Sequence, residues 1–299
     1  MRKKFLIILG LPLLVIASTM FIAGMLITAD IEKETVKLGP AENWFDDWYT
    51  ISRIDDKTFA IGEPRYWQRN YNYLILGEKR AILFDTGPGV RDIRPVLESL
   101  TSMGITVVFS HPHYDHIGNN HLFHEIAGLD IPSIRSEVTE DIFEPSYLRG
   151  FTTRRIPAFP ISEWWQPGQQ VDLGGRSLLV FHVPGHEIGS IALLDPVSQQ
   201  LFTGDFIYPG WLVAFAPTSD LESYLKSARY LLNQTKGGEI LLGAHSVPEH
   251  PSPVLPYRAL LDLEKTLQAI ISHSIDPVAR FPLRIYPVSK EMELYMLPF

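Results

Sequence analysis

The stretch that decides the fold runs from residue 107 to residue 116 and reads Val-Val-Phe-Ser-His-Pro-His-Tyr-Asp-His. Its apolar first half predicts the end of a buried strand. Its second half places three imidazoles and one carboxylate directly after that strand. Alternate residues of an extended chain project to the same side, so His111 and His113 point one way before Asp115 and His116 begin a turn. Because zinc takes imidazole and carboxylate ligands in proteins, this stretch predicts a metal site.

Four further segments carry a chemistry-bearing residue directly after a predicted strand. They are Phe-Asp-Thr-Gly with Asp85, Val-Pro-Gly-His with His186, Thr-Gly-Asp with Asp205, and Gly-Ala-His with His245. Loops held by a rigid scaffold are where catalytic and binding residues usually lie. We therefore expect these four side chains to meet those of the 107–116 stretch at one edge of the fold.

Taken in order, the motifs H-x-H-x-D-H, P-G-H, G-D and G-x-H resemble those of the metallo-β-lactamase superfamily over roughly residues 55–250. The resemblance implies an α/β fold, the αβ/βα sandwich, in which two sheets pack back to back with helices outside. It also implies a binuclear zinc site, with two zinc ions per chain. The implied ligands are His111, His113 and His186 for one ion, Asp115, His116 and His245 for the other, and Asp205 as the bridge. Asp85 is implied to orient a ligand without binding metal itself.

The absence of cysteine separates this chain from the β-lactamases of the superfamily that use a cysteine ligand. The bridging-type Asp205 resembles instead the glyoxalase II and lactonase branch. The implied activity is that of a metallo-hydrolase in which a zinc-bound hydroxide cleaves an ester, thioester or lactone in a small-molecule substrate. Asp115 would orient that hydroxide and carry a proton.

Two features indicate how the substrate is held. Tyr208 stands three residues after Asp205, a D-x-x-Y spacing that resembles the acyl-homoserine lactonases, where the tyrosine assists at the substrate carbonyl; a core or turn tyrosine is the other interpretation. Residues 143–167 hold six aromatic side chains in an irregular stretch, which fits a lid or a surface excursion packed on the core. Together with Trp211 and Phe215, such a lid would enclose an apolar acyl part.

Other activities of the same fold stay open at this point. One is a mono-iron dioxygenase that oxidises persulfides, and a lesser one is β-lactam hydrolysis. Two zinc ions per chain would indicate hydrolysis, whereas one iron with oxygen uptake would indicate the dioxygenase. A non-catalytic binding module is disfavoured because none of the ligand-type residues is missing. The histidines without a ligand context of their own are His121, His124, His182, His250 and His273.

The charge and the N-terminus indicate an exported domain without a nucleic-acid partner. The formal net charge is −8, whereas nucleic-acid binders usually present a basic face. Arg2, Lys3 and Lys4 precede an uncharged run of 25 residues over 5–29. As a helix this run would extend about 37 Å, enough to cross a bilayer, and the basic end would stay in the cytoplasm. The run is a membrane anchor, or a signal peptide cut after Ala29 that leaves the domain secreted or periplasmic.

The chain thus divides into three parts: an anchor or signal peptide over residues 1–29, a polar linker over 30–48, and one hydrolase domain over 49–299. Strands and helices alternate within the domain, which indicates an α/β or mixed class. Apolar spacing predicts helices over 91–103, 220–232 and 257–272. Asp220 is the expected N-cap of the second helix. Residues 283–288 and 293–297 are predicted to form a closing strand pair.

Overall fold

The structure is a computed structural model that describes residues 33–147 and 155–298. Four α-helices lie in this part of the chain: α1 (Arg94–Leu100), α2 (Pro132–Arg135), α3 (Leu221–Gln234) and α4 (Arg258–Ile271). The first eleven strands are β1 (Glu42–Trp44), β2 (Thr50–Asp55), β3 (Thr58–Glu63), β4 (Asn70–Leu76), β5 (Ala81–Phe84), β6 (Ile105–Val108), β7 (Ile126–Leu129), β8 (Val138–Thr139), β9 (Ile142–Phe143), β10 (Phe159–Pro160) and β11 (Glu163–Trp165). The other nine are β12 (Gln170–Asp172), β13 (Ser177–His182), β14 (Ile191–Asp195), β15 (Gln200–Gly204), β16 (Gly210–Val213), β17 (Ile240–Gly243), β18 (Val254–Pro256), β19 (Arg284–Pro287) and β20 (Met292–Met296).

Two large sheets form the central layers. Eight strands make the first sheet, in the order β1-β2-β3-β4-β5-β6-β7-β11, and six make the second, in the order β12-β13-β14-β15-β17-β18. Neighbouring residues of the second sheet face opposite ways: Leu193 and Phe202 join the core shared with the first sheet, whereas Leu194 and Leu201 join the core beneath α3 and α4. Burial on both faces explains why β14 and β15 are largely apolar. The sandwich predicted from the sequence is confirmed.

The helix boundaries follow from local capping. Helix α3 begins where the carboxylate of Asp220 accepts a hydrogen bond from the backbone N–H of Ser223 at 2.7 Å, as predicted. Helix α1 is shorter than the predicted 91–103. Asp92 accepts from the N–H of Arg94 at its start, and Thr101 is already extended at its end.

The strand ends that carry the motifs lie at one edge of the sandwich. In the first sheet β5 and β6 are parallel, so Asp85 and the segment after Val108 emerge side by side. In the second sheet β15 and β17 are parallel, and β13 runs the same way because it is separated from β15 by one antiparallel strand. His186, Asp205 and His245 follow these three strands.

A small sheet, formed by β16, β20 and β19, closes this edge on one side. The predicted closing strand pair is confirmed as β19 and β20, and β20 also pairs in parallel with β16, which the sequence analysis did not predict as a strand. The N–H of Gly210 donates to the carbonyl of Glu291 at 2.7 Å. Met292 and Leu294 are buried and fix the sheet to the core beneath α3 and α4.

Two of the sequence-based expectations need correction. Strand β1 lies inside the stretch 30–48 expected to be a linker, so the folded domain begins before residue 49. Composition misled here because the stretch is polar, yet Glu42 is buried and its carboxylate accepts hydrogen bonds from the Thr50 hydroxyl and the Gly39 N–H.

The second correction concerns the aromatic residues of 143–167, which were expected to form a lid. Phe143, Phe159 and Trp165 are at most 1% exposed and lie in the core, so they do not form the wall of an open pocket. Phe109, which ends the apolar run before the histidine motif, packs against Phe143 and Phe159 with ring centroids 5.6 and 5.9 Å apart. These rings therefore pack against the residue that leads into the histidine motif and hold it in the core.

The hydrophobic helix predicted over residues 5–29 falls outside the described residues. Among the residues that are described, none of the helices is both long and apolar enough to span a membrane.

Candidate metal centre

The first group of ligand-type atoms, here called the His186 half-site, consists of His111, His113 and His186 together with one oxygen of Asp205. The three histidines form a buried cluster whose ligand atoms lie within 4.8 Å of one another. His186 Nε2 is 3.1 Å from His113 Nδ1 and 3.5 Å from Asp205 Oδ2. His111 Nε2 is 4.0 Å from the same oxygen.

The second group, here called the His245 half-site, consists of Asp115, His116 and His245 together with the other oxygen of Asp205. His245 Nε2 lies 3.6 Å from Asp115 Oδ2 and 3.0 Å from Asp205 Oδ1. His116 Nε2 lies 3.7 and 3.4 Å from the same two oxygens. Asp205 therefore presents Oδ2 to one half-site and Oδ1 to the other.

These separations suit a metal ion. Ligands bonded at about 2.0–2.1 Å to a tetrahedral zinc ion lie roughly 3.3 Å from each other. The distances given above run from 3.1 to 4.0 Å in the His186 half-site and from 3.0 to 3.7 Å in the His245 half-site. The shorter ones are of this size, and the longer ones exceed it by less than an ångström. All seven predicted ligand residues are brought together: His111, His113, Asp115, His116, His186, Asp205 and His245.

The polar atoms of this cluster are buried without adequate protein partners. In the described part of the chain, the Nε2 atoms of His111, His116 and His245 and the Oδ1 atom of Asp205 make no hydrogen bond of acceptable angle. Buried polar groups are normally satisfied, and leaving one unsatisfied costs about 1–3 kcal/mol. Several such atoms in one buried cluster indicate that the cluster is a metal-binding site.

The electrostatics of the cluster point the same way. Burial, followed by the nearby imidazoles of His116 and His113, lowers the pKa of His111 well below its usual range, so this ring is neutral and can act as a ligand. Burial opposes charge on His116 as well, but the carboxylates of Asp205, Asp115 and Asp85 outweigh it and raise the pKa of His116. Negative charge thus collects in the His245 half-site, where a cation would neutralise it.

Asp85 and Ser110 orient the imidazoles from behind. Asp85 Oδ2 is 2.8 Å from Nδ1 of His116, and the N–H and hydroxyl of Ser110 both donate to the Asp85 carboxylate. The Ser110 hydroxyl oxygen also lies 3.0 Å from Nδ1 of His111. Gly204 makes this packing possible, because a Cβ at that position would lie 2.5 Å from Cβ of Ser110. The position of Asp85 is that predicted for an orienting residue.

Backbone carbonyls orient two further histidines. His186 Nδ1 lies 2.8 Å from the carbonyl oxygen of Val213 in β16, and His245 Nδ1 lies 3.2 Å from that of Gln68. Such contacts fix the tautomer, so that Nε2 is left for the metal. These carbonyls cannot be recognised in the sequence, because any residue type supplies one. Ser110 was not predicted either, although its position directly before His111 was an available signal.

Tyr208 is buried beside the site, with its ring 5.0 Å from the His245 ring. Its hydroxyl donates to the carbonyl oxygen of Trp211 at 2.5 Å. Burial raises the pKa of Tyr208 well above its usual range, so the hydroxyl keeps its hydrogen. A role at the substrate carbonyl stays a prediction. None of the five histidines set aside from the sequence joins a metal-type cluster in the described ranges.

Comparison with known families agrees with this geometry. The sequence signature of the metallo-beta-lactamase superfamily matches residues 65–237, which is more than half of the chain. The chain belongs to the metallo-beta-lactamase superfamily. A solved metallo-beta-lactamase from Pontibacter korlensis aligns over 74% of this chain and 99% of its own, with a TM-score of 0.57 and 15% identity. At that identity the likeness shows the fold alone.

Curated relatives are hydrolases of the same superfamily. The human acyl-coenzyme A thioesterase MBLAC2 is 28% identical over 219 residues, which cover 64% of this chain and 78% of the relative. The hydroxyacylglutathione hydrolase GloC of Haemophilus influenzae is 26% identical over 183 residues, covering 60% and 86%. This chain is therefore a hydrolytic enzyme with a His/Asp metal-binding site.

Proposed function

We propose that this enzyme hydrolyses a small-molecule thioester with an apolar acyl part, using two zinc ions held by the His186 and His245 half-sites. The observation that carries the proposal is the shared carboxylate of Asp205, whose two oxygens face separate groups of buried ligand atoms. The similarity to a thioesterase and to a hydroxyacylglutathione hydrolase favours a thioester over the esters and lactones that the sequence also allowed.

The roles of individual residues follow from their positions. Two bound ions would supply an activated water and polarise the acyl carbonyl. Asp115 Oδ2 faces His116 and His245, so the carboxylate can hold that water in place and accept its proton. A thiol ionises near pH 8.5, so a thiolate leaves readily and demands little protonation by the enzyme. Tyr208, if its hydroxyl turns from Trp211, would donate to the carbonyl oxygen of the substrate.

The apolar acyl part is supported by side chains beside the His186 half-site. Ile188 follows His186 by two residues and is 46% exposed. Trp211 is 54% exposed and lies on β16, the strand whose Val213 carbonyl orients His186. Exposed apolar side chains of this size next to a metal site fit an acyl chain. They replace the buried aromatic residues of 143–167 as candidates for this role.

The experiment is a substrate panel with metal analysis. Purified protein would be assayed on short-chain and long-chain acyl thioesters, on matched oxygen esters and on lactones, each with chelator and after zinc is returned. We expect two zinc ions per chain and the highest kcat/KM on thioesters, lost with chelator and restored by zinc. No metal-dependent turnover on any substrate would end the proposal. One iron per chain with oxygen uptake on a persulfide would support the dioxygenase alternative.

The location of the enzyme is a separate proposal. Basic residues before the apolar run over 5–29 and acidic residues after it support a catalytic domain outside the cytoplasm. Protease accessibility of the domain in intact cells, compared with cells that have been opened, would test this. Protection in intact cells would contradict an external domain.

A further inference from the structure

Residues 66–71, here called the bracing segment, contact both ligand-bearing loops of the His245 half-site. The carbonyl oxygen of Gln68 lies 3.2 Å from Nδ1 of His245. The N–H of Tyr71 donates to the carbonyl of Ala244, the residue before that histidine, at 2.8 Å. On the other side, the Asn70 amide donates to the backbone carbonyl of Asp115 at 2.8 Å. One short segment thus spans two loops that are far apart in sequence.

The feature of Asn70 that matters at this position is its side-chain NH₂ group, which donates hydrogen bonds. Asn70 is 1% exposed, and its Nδ2 lies 3.5 Å from the Asp115 carboxylate as well as 2.8 Å from the Asp115 carbonyl. Both of these partners are acceptors, so the amide must face them with its NH₂ group. Its Oδ1 makes no hydrogen bond to the described residues. A buried amide with one unsatisfied atom costs stability, which an apolar residue in this strand would avoid.

The bracing segment is itself held firmly at Arg69. This residue adopts a left-handed backbone conformation, with φ of 52°, that is uncommon outside glycine. Its guanidinium is buried and donates to the Lys37 carbonyl at 2.6 Å and to the Ser246 hydroxyl at 3.3 Å. Strained conformations persist when the surroundings fix them, so the neighbouring Asn70 is presented at a defined position.

A second contact links the bracing segment to the histidine motif. The Tyr66 hydroxyl donates to the Tyr114 hydroxyl at 2.8 Å, and Tyr114 donates to the Gln68 side chain at 3.1 Å. Tyr114 is the residue directly before Asp115. The orienting contacts of the His186 half-site come from elsewhere, from the Val213 carbonyl and the Ser110 hydroxyl.

We infer that Asn70 is a positioning residue of the His245 half-site, which fixes the peptide and carboxylate of Asp115 so that this loop and His245 close on one metal ion. The inference rests on the two-metal site of the proposed function. Loss of an orienting partner outside the ligands typically weakens metal affinity 10–100-fold. Because the bracing segment serves one half-site, we expect that loss to fall on one of the two metal ions.

The test compares Asn70→Ala with Asn72→Ala by stepwise zinc titration against a chromophoric chelator. Asn72 is a matched control: it lies two residues along β4, is equally buried at 1%, and donates to Glu63 and not to a ligand loop. We expect Asn70→Ala to weaken one of the two zinc ions about 10–100-fold and the other less than about threefold. Asn72→Ala should leave both affinities within about threefold.

Asn70→Asp is the second variant, because it keeps the side-chain shape but turns an acceptor toward the Asp115 carbonyl and carboxylate. It should weaken the same zinc ion at least as much as Asn70→Ala does. Equal weakening of both ions, no weakening, the same effect in Asn72→Ala, or a wild-type chain that binds one ion only would each overturn the inference. Since zinc binding is measured without substrate, these results stand apart from whether thioesters are hydrolysed.

Discussion

Asp205 is the residue on which both half-sites depend. Its Oδ2 lies 3.5 Å from His186 Nε2 and its Oδ1 lies 3.0 Å from His245 Nε2. The imidazoles around it lower the pKa of Asp205 despite burial, so the carboxylate is ionised and both oxygens can accept a cation.

Asp205→Asn should therefore disturb both ions at once. The amide offers one oxygen and one NH₂ group, so only one half-site keeps its acceptor. We expect fewer than two zinc ions per chain and a fall in kcat/KM of at least about 100-fold, beyond the 10–100-fold typical of an orienting residue. Metal content and steady-state kinetics measure this. Asp172→Asn is the control, because the Asp172 side chain is 62% exposed. Full metal content in Asp205→Asn would contradict the bridging role.

Tyr208 offers a test between two roles at one hydroxyl. Loss of its hydrogen bond to the Trp211 carbonyl in Tyr208→Phe should cost about 1 kcal/mol in the free energy of unfolding in either case. If the hydroxyl also reaches the substrate carbonyl, kcat should fall ~10²–10³-fold with metal content unchanged. A kcat within about threefold of wild type would instead assign Tyr208 to the turn alone.

At the scale of elements, strand β20 supports the metal site through β16. Leu294 is fully buried opposite Leu212, and β16 carries the Val213 carbonyl that orients His186. Leu294→Ala should cost about 2–5 kcal/mol in the free energy of unfolding and also weaken zinc at the His186 half-site. Denaturant unfolding and zinc titration measure the two effects.

Leu263→Ala in α4 is the matched control for that prediction. Leu263 is equally buried and belongs to the same apolar cluster, but it lies outside the small sheet. It should cause a similar loss of stability with little change in zinc affinity. An equal loss of zinc affinity in both variants would show that general destabilisation, and not the loss of packing in β20, weakens zinc binding.

The elements differ in how far the sequence reveals them. The strands that lead to the site are recognisable in the sequence, because a buried apolar run stops where a turn with His, Asp or Gly begins. The runs that end at Phe109 and Val183 are examples. The parallel pairing of β16 with β20 could not be predicted, since it joins short segments far apart in sequence. Aromatic residues of 143–167 were misjudged because composition does not separate a core ring from a pocket wall. The role of Asn70 could not be predicted from the sequence, because a single asparagine at the start of a strand has no distinguishing pattern.

At the scale of the whole molecule, Glu63 makes the free energy of unfolding depend on pH. It is fully buried; burial raises its pKa to about 8, although hydrogen bonds from Trp48 and Asn72 act in the other direction. The unfolded chain ionises this group near pH 4.5, whereas the native protein keeps the proton up to about pH 8. The native state therefore binds the extra proton between these values, and stability falls as the pH rises through this window.

We expect Glu63 to contribute a loss on the order of 4 kcal/mol in the free energy of unfolding between pH 4.5 and 8. Denaturant unfolding of the zinc-saturated protein at several pH values measures it. Glu63→Gln, which cannot ionise, should remove this part of the slope. The same slope in both proteins would contradict the assignment.

The small sheet has a consequence for when the enzyme becomes competent during its synthesis. Chains emerge from the ribosome N-terminal end first, and the seven ligand residues are all translated by residue 245. The strand that secures the Val213 carbonyl, however, ends at Met296. A partly synthesised chain that has not reached this strand thus holds every ligand residue but lacks the support for His186, so stable metal uptake at the His186 half-site is expected only after residues 292–296 have been made.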